Sequence, residues 1–333
     1  MKTIAKSKVS ALLDEIAKEF NLLVPTSGDG ASKFAPYTPG SQASFDGRTL
    51  LPPKDVFFPQ TEKMYKFTTD GMAGSLETVL EAPKHQMLFG VRPCDVKSIH
   101  ELDHVFLTKG FVDEFYQSKR DRTFLVSIGC NGPAEPTCFC QSMGVNPQEA
   151  DAVDVHLFDL GSEYGAAGKS ENGEAFLQKY ASFFNEADVQ LPAVAEFALN
   201  PNVEGITEKL QQMFDHPLWE EVSKKCLGCG ACTYLCPTCH CFDISGRVAG
   251  NQGFNFRCWD SCMFSEYTRM AGGHNPRPSK KERVRNRFLH KLQYFPERYG
   301  DLLCTGCGRC LSKCPVNIDI TNIIKQIREV ELA

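Results

Sequence analysis

Two cysteine runs constrain this 333-residue chain more than anything else in it. The first reads Cys226-x-x-Cys229-x-x-Cys232-x-x-x-Cys236-Pro237, and the second, Cys304-x-x-Cys307-x-x-Cys310-x-x-x-Cys314-Pro315, repeats it position for position. Zinc ribbons use paired cysteines and would leave the third of each run without a role. An iron-sulfur reading uses all of them. Three thiolates on a tight glycine-bearing loop, here CLGCGAC and CTGCGRC, wrap one cubane, while the fourth, ahead of proline, reaches the other cluster. The spacing therefore assigns one [4Fe-4S] cluster to Cys226, Cys229, Cys232 and Cys314, and a second to Cys304, Cys307, Cys310 and Cys236. Cys236-Pro-Thr-Cys239-His240 also fits the C-x-x-C-H of haem attachment, but Cys236 is already committed and no export signal precedes it.

Residues 237 to 303 separate the two runs, far more than a compact bacterial ferredoxin needs. Met263, Phe264, Tyr267 and Met270 recur at helical spacing before Gly272-Gly273, and Val284, Phe288, Leu289, Leu292 and Phe295 do so again before Gly300. The insert is expected to be helical, making residues 206–333 an α-helical ferredoxin-like domain with two clusters. It holds four further cysteines, Cys239, Cys241, Cys258 and Cys262, which suit either another metal site or buried thiols beside the clusters. The basic run RPSKKERVRNRFLHK (277–291) reads as a solvated helix face, with partner docking or compensation of cluster charge as alternatives.

Residues 1–205 read as an α/β domain. MKTIAKSKVSALLDEIAKEF, with Ile4, Leu12, Leu13, Ile16 and Phe20 apolar, is expected to open it as an amphipathic helix rather than a signal peptide. QMLFGVR (86–92) predicts a strand ending at Pro93-Cys94, DVKSIHELDHVF a helix with Val96, Ile99, Leu102 and Phe106 inward, and TFLVSIG (123–129) a second strand ending at Cys130. A strand-helix-strand crossover brings both thiols to the carboxyl edge of one parallel sheet, where ligands gather. Cys138 and Cys140 follow on a loop rich in Gly, Pro and Asn that can return to that edge. A third [4Fe-4S] cluster on Cys94, Cys130, Cys138 and Cys140 is the expectation; a redox-active Cys138/Cys140 pair, a nucleophilic Cys94 and inert buried thiols compete with it. EYGAAGKS (163–170) misses the phosphate-loop pattern, because Glu163 stands where its first glycine is required, and reads as a surface turn. No G-x-G-x-x-G follows a strand, so electrons are expected from a different polypeptide. His100, His104 and His156 lack spaced partners and read as ordinary helix, core or surface residues.

Sixteen cysteines so clustered call for a purpose. With no run of transmembrane length, the expected setting is soluble and cytoplasmic, where thiols stay reduced and serve metal or redox chemistry more than disulfides. A net charge of −5 gives no reason to expect nucleic acid.

RPCD (92–95), CFCQSMG (138–144), HPLW (216–219), CPTCHC (236–241), WDSCMF (259–264), AGGHNPR (271–277) and CTGCGRCLSKCP (304–315) resemble the A-type dicluster component of anaerobic sulfite reductase and the related β subunits of cytoplasmic sulfhydrogenases, over nearly the whole chain. The resemblance implies an electron-transfer subunit between an FAD-binding flavoprotein that oxidises NAD(P)H and a terminal sulfite reductase, hydrogenase or heterodisulfide reductase subunit. The cysteines expected to hold a third cluster fall within the family's motifs, whereas Cys258 does not. The competing function is sulfur or disulfide reduction in this chain, at Cys94 or at the Cys239, Cys241 and Cys262 thiols.

Overall fold

The computed structural model describes residues 1–27, 31–80 and 85–332. Its strands are β1 (Lys2–Ala5), β2 (Asn21–Thr26), β3 (Lys33–Pro36), β4 (Thr61–Asp70), β5 (Ala73–Thr78), β6 (Gln86–Val91), β7 (Thr123–Ile128), β8 (Val155–Asp159), β9 (Glu163–Gly168), β10 (Asn185–Glu186), β11 (Phe242–Ala249) and β12 (Gln252–Trp259). Eight of them form one sheet in the order β10-β1-β9-β8-β7-β6-β2-β3. Strands β2, β6, β7 and β8 run parallel, and antiparallel strands flank them.

Every residue of β6 is buried, as the interior of a parallel sheet requires. Alternation divides its side chains. Met87 and Phe89 enter a core shared with the Val9–Ile16 and Glu171–Lys179 helices, whereas Leu88 and Val91 pack on Val96, Ile99, Leu102 and Phe106 of the Pro93–Leu107 helix. Each fully buried side chain of this kind contributes roughly 1.5–3 kcal/mol. The register slips between Phe89 and Val91, where Gly90 at φ +96° lets the Phe45 ring lie against its backbone. This bulge sits two residues before Arg92, at the carboxyl edge.

The second sheet, in the order β11-β12-β4-β5, joins a hairpin of the amino-terminal half to one from the insert. At its buried end Arg257 bridges Glu62 and Asp113, each at 2.6 Å. The remaining core gathers helices Ile206–Gln211, Leu218–Lys224, Lys280–Leu289 and Ile320–Glu329 around Trp219, Phe288 and Leu292. A Ser279/Glu282 capping box starts the Lys280–Leu289 helix, which widens into a π turn at His290–Tyr294 before Phe295–Tyr299 closes it at Gly300.

Four expectations change. The opening segment is a strand, a short turn and a helix: Ile4 belongs to β1, and Phe20 lies past the helix end. EYGAAGKS supplies β9, inside the sheet between β8 and β1, because Tyr164 and Ala166 have an apolar core to enter. The carboxyl-terminal half is not helical throughout. Residues 242–259 form the β11/β12 hairpin, and Met263 to Met270 form turns and one 3-10 turn, with Met270 exposed. The alternation of Phe254, Phe256 and Cys258 after Gly250-Asn251 was the available signal for that hairpin.

Candidate metal centres

The two repeated loops are built alike. Gly228 and Gly230 in the first, and Gly306 and Gly308 in the second, all adopt left-handed backbone, with φ of +68°, +74°, +64° and +73°. Each loop runs into a short helix, Ala231–Tyr234 or Arg309–Lys313, and these two helices pack together. That packing carries the last cysteine of each run across to the other loop. Cys226, Cys229, Cys232 and Cys314 consequently line one cavity, with Met263, Val284 and Phe288 (site 1). Cys304, Cys307, Cys310 and Cys236 line another, with Phe139 and Ile320 (site 2). Backbone amides already point at sulfur: Gly228 N donates to Cys226 Sγ at 3.4 Å and Ile318 N to Cys314 Sγ at 3.1 Å.

Site 3 stands at the carboxyl edge of the large sheet. Cys94 follows β6 in the first turn of the Pro93–Leu107 helix, and Cys130 follows β7. The returning loop supplies Cys138 and Cys140, and all four line one cavity with Arg48, Arg92, Phe197 and Cys307. Arg92 is locked by carbonyls, its Nε donating to Gly47 O and its Nη1 to Gly129 O, both at 2.9 Å, and it reaches Cys130 Sγ at 3.7 Å. Sites 2 and 3 share a wall. Phe139 N donates to Gly306 O at 2.8 Å, and a Cβ on Gly308 would stand 2.2 Å from Thr137 O. Gly308→Ala should therefore cost on the order of 1–3 kcal/mol by overpacking. Gly300→Ala, at φ +93° with open space around it, should cost about 1 kcal/mol through backbone strain alone. Urea denaturation of both variants checks the difference.

These spaces suit an anionic group larger than a single metal ion. Among the described residues no three of the sulfurs come within 4.8 Å of one another, whereas a tetrahedral zinc site with ~2.3 Å Zn–S bonds would hold them about 3.8 Å apart. Buried donors without partners surround the cavities: Arg48 Nε at site 3, and Arg287 Nε and Thr305 Oγ1 at site 2. Burial pushes the thiols of Cys140 and Cys310 up to about 12 and that of Cys304 up to about 11, so metal binding would have to displace their protons. Cys236 differs. A hydrogen bond from the Cys239 thiol, and then the Lys291 charge, hold it well below the usual range.

The basic run is the largest departure at the site. Arg283, Arg287 and Lys291 are only 8%, 5% and 3% exposed, so one side of this helix turns its cations into the core. Their spacing was the available signal, since Arg287 and Lys291 lie three and seven residues after Val284 and share its apolar face. Of the other four cysteines, Cys239, Cys241 and Cys262 lie one beside the next without three sulfurs coming within 4.8 Å, and Cys258 stands apart. The Cys239 thiol hydrogen-bonds to Cys236 and the Cys262 thiol to Cys241, while Cys258 lies on β12 opposite Asp243. His156 is a core histidine held by Ser127 Oγ and Gln148 O, each at 2.7 Å. His104 does gain partners. Its ring, Glu101 and Asp301 bring their ligand atoms within 4.8 Å, and Lys97 already pairs both carboxylates at 3.2 and 3.4 Å.

Residues 225–318 match the 4Fe-4S dicluster domain, which spans sites 1 and 2 and leaves the Cys94–Cys140 segment outside. Sulfhydrogenase 2 subunit beta of Pyrococcus furiosus (strain ATCC 43587 / DSM 3638 / JCM 8422 / Vc1) is 31% identical over 292 residues, covering 85% of this chain and 84% of the relative. The chain belongs to the sulfhydrogenase beta-subunit family. No solved structure matches it. As a member of that family carrying a dicluster domain, it is an iron-sulfur electron-transfer subunit. Among the described residues no helix is long and apolar enough to cross a membrane.

Proposed function

We propose that this subunit holds three [4Fe-4S] clusters, on the cysteines of sites 1, 2 and 3, and relays electrons one at a time between an NAD(P)H-oxidising flavoprotein and a terminal hydrogenase or reductase in the cytoplasm. The carrying observation is continuity: Arg287 lines sites 1 and 2, and Cys307 lines sites 2 and 3, so neighbouring sites share a wall. The clusters would supply one-electron chemistry. The chain's part is to exclude water, aim amides and cations at sulfur and hold the sites in line. Exposed Cys229 and Leu227 make site 1 the solvent-facing end of the line. The relative's name, that of a sulfhydrogenase component, favours a hydrogenase-type partner over a sulfite reductase.

Purified anaerobically, the isolated protein should be reduced by dithionite and should not oxidise NAD(P)H until a flavoprotein partner is added. Turnover of NAD(P)H by this chain alone would refute the division of labour. A second reading, thiol-based sulfur or disulfide reduction here, has one observation behind it. A hydrogen bond from the Cys262 thiol, aided by one from Tyr267, holds Cys241 down to about 6 against the effect of burial. Alkylation that stops sulfur reduction while every cluster stays intact would favour it.

A further inference from the structure

Resting on that relay, we infer that Lys291 makes site 2 the electron-holding member of the carboxyl-terminal pair, so that site 2 is reduced before site 1. Arg287 stands on the wall of both cavities and favours an added electron in either. Lys291 lines site 2 alone, and its ammonium donates to Cys236 Sγ at 3.2 Å and to Thr238 Oγ1 at 3.0 Å. The titratable and charged groups facing Lys291 include Cys236, Cys239, Cys241, Cys304, His240, His290, Lys54 and Arg287; those facing Arg287 include Cys232, Cys236, Cys239, Cys262 and Cys310. These two buried cations therefore answer cysteines rather than carboxylates.

Position supports an electronic role. The helix changes to a π turn at His290–Tyr294, where Lys291 enters the core. A positive charge and an N–H···S bond both stabilise the more negative, reduced state of an iron-sulfur site, and they act strongly where water is excluded. Site 1 lacks a second buried cation: Lys280 donates to Cys226 O at 2.9 Å but is exposed, and Cys229 too lies open to solvent and salt. In the step itself the reductant supplies the electron, no bond forms or breaks, and Lys291 keeps its proton.

Redox titration of the full chain followed by EPR tests this, with Cys229→Ser marking the signal of site 1. In Lys291→Met the reduced-to-oxidised ratio of site 2 at the wild-type midpoint should fall roughly tenfold or more, with site 1 unmoved and the order of reduction reversed. Lys291→Arg, which keeps the charge, should restore the order. Unchanged potentials in Lys291→Met with its iron retained would overturn the inference. If that variant loses iron, Lys291→Gln keeps an N–H donor without the charge: a lowered site 2 potential supports the inference and a wild-type potential overturns it. Wild-type chain without iron at sites 1 and 2 would overturn the proposed function instead.

Discussion

Cys138→Ser is expected to lower the iron of this protein from about twelve atoms per chain to about eight, with acid-labile sulfide falling in step. Cys138 belongs to site 3, whose other cysteines come from the ends of β6 and β7 and from the same loop. None of the four lies in the repeated runs, so losing a ligand there should leave sites 1 and 2 loaded. Cys138 Sγ also approaches Cys307 O at 3.9 Å, so the reduced spectrum of site 2 should change shape while its iron remains. Anaerobic reconstitution with quantification of iron and sulfide checks the count. About eight irons in both wild type and variant would leave Cys94, Cys130, Cys138 and Cys140 without a cluster and return them to thiol chemistry.

The second large effect is thermodynamic. Arg309, one residue before Cys310, forms a two-pronged ion pair with Asp95, one residue after Cys94, at 2.6 and 2.8 Å, and its Nε donates to Thr49 O at 2.9 Å. Both side chains are fully buried. Asp95→Ala leaves the guanidinium charged and without its carboxylate, and should cost about 3–5 kcal/mol. The pair links segments from the two halves of the chain, so the cost should appear as a lower denaturation midpoint together with loosened coupling between sites 2 and 3. Asp95→Leu combined with Arg309→Met should recover most of the loss, because neither charge then remains buried. Urea denaturation of wild type, Asp95→Ala and the double variant decides. A loss in the double variant as large as in Asp95→Ala would show that shape at this junction matters more than charge.

How far these features could be read from the chain depends on the range of the interaction. Strands β6 and β7 and the Pro93–Leu107 helix were legible because apolar runs and Pro93 punctuate them locally, and their order alone brings Cys94 and Cys130 to one edge; the short Glu114–Arg120 helix before β7 was not read. The β11/β12 hairpin was harder to read, because what holds it is pairing with β4, far away in sequence, and the Arg257 bridge to Glu62 and Asp113. Local apolar periodicity after Cys262 suggested a helix, but of its four apolar positions only Met263 is buried in the core and Tyr267 packs against it, while Met270 stays exposed.

Charge misled for a related reason. Arg283, Arg287 and Lys291 stand in a run so basic that solvent is the default reading, yet cysteine-lined cavities give two of them somewhere to go. By itself the sequence determined which cysteines of the repeated runs face a common cavity, because equal spacing and paired glycine loops build two alike loops whose last cysteines cross over. Only the tertiary structure decided that Lys291 serves one site, that Arg287 stands between two, and that Cys307 closes the wall of a third. Loop geometry is encoded within a dozen residues, whereas burial of a charge and close approach of two backbones depend on what the rest of the chain brings to meet them.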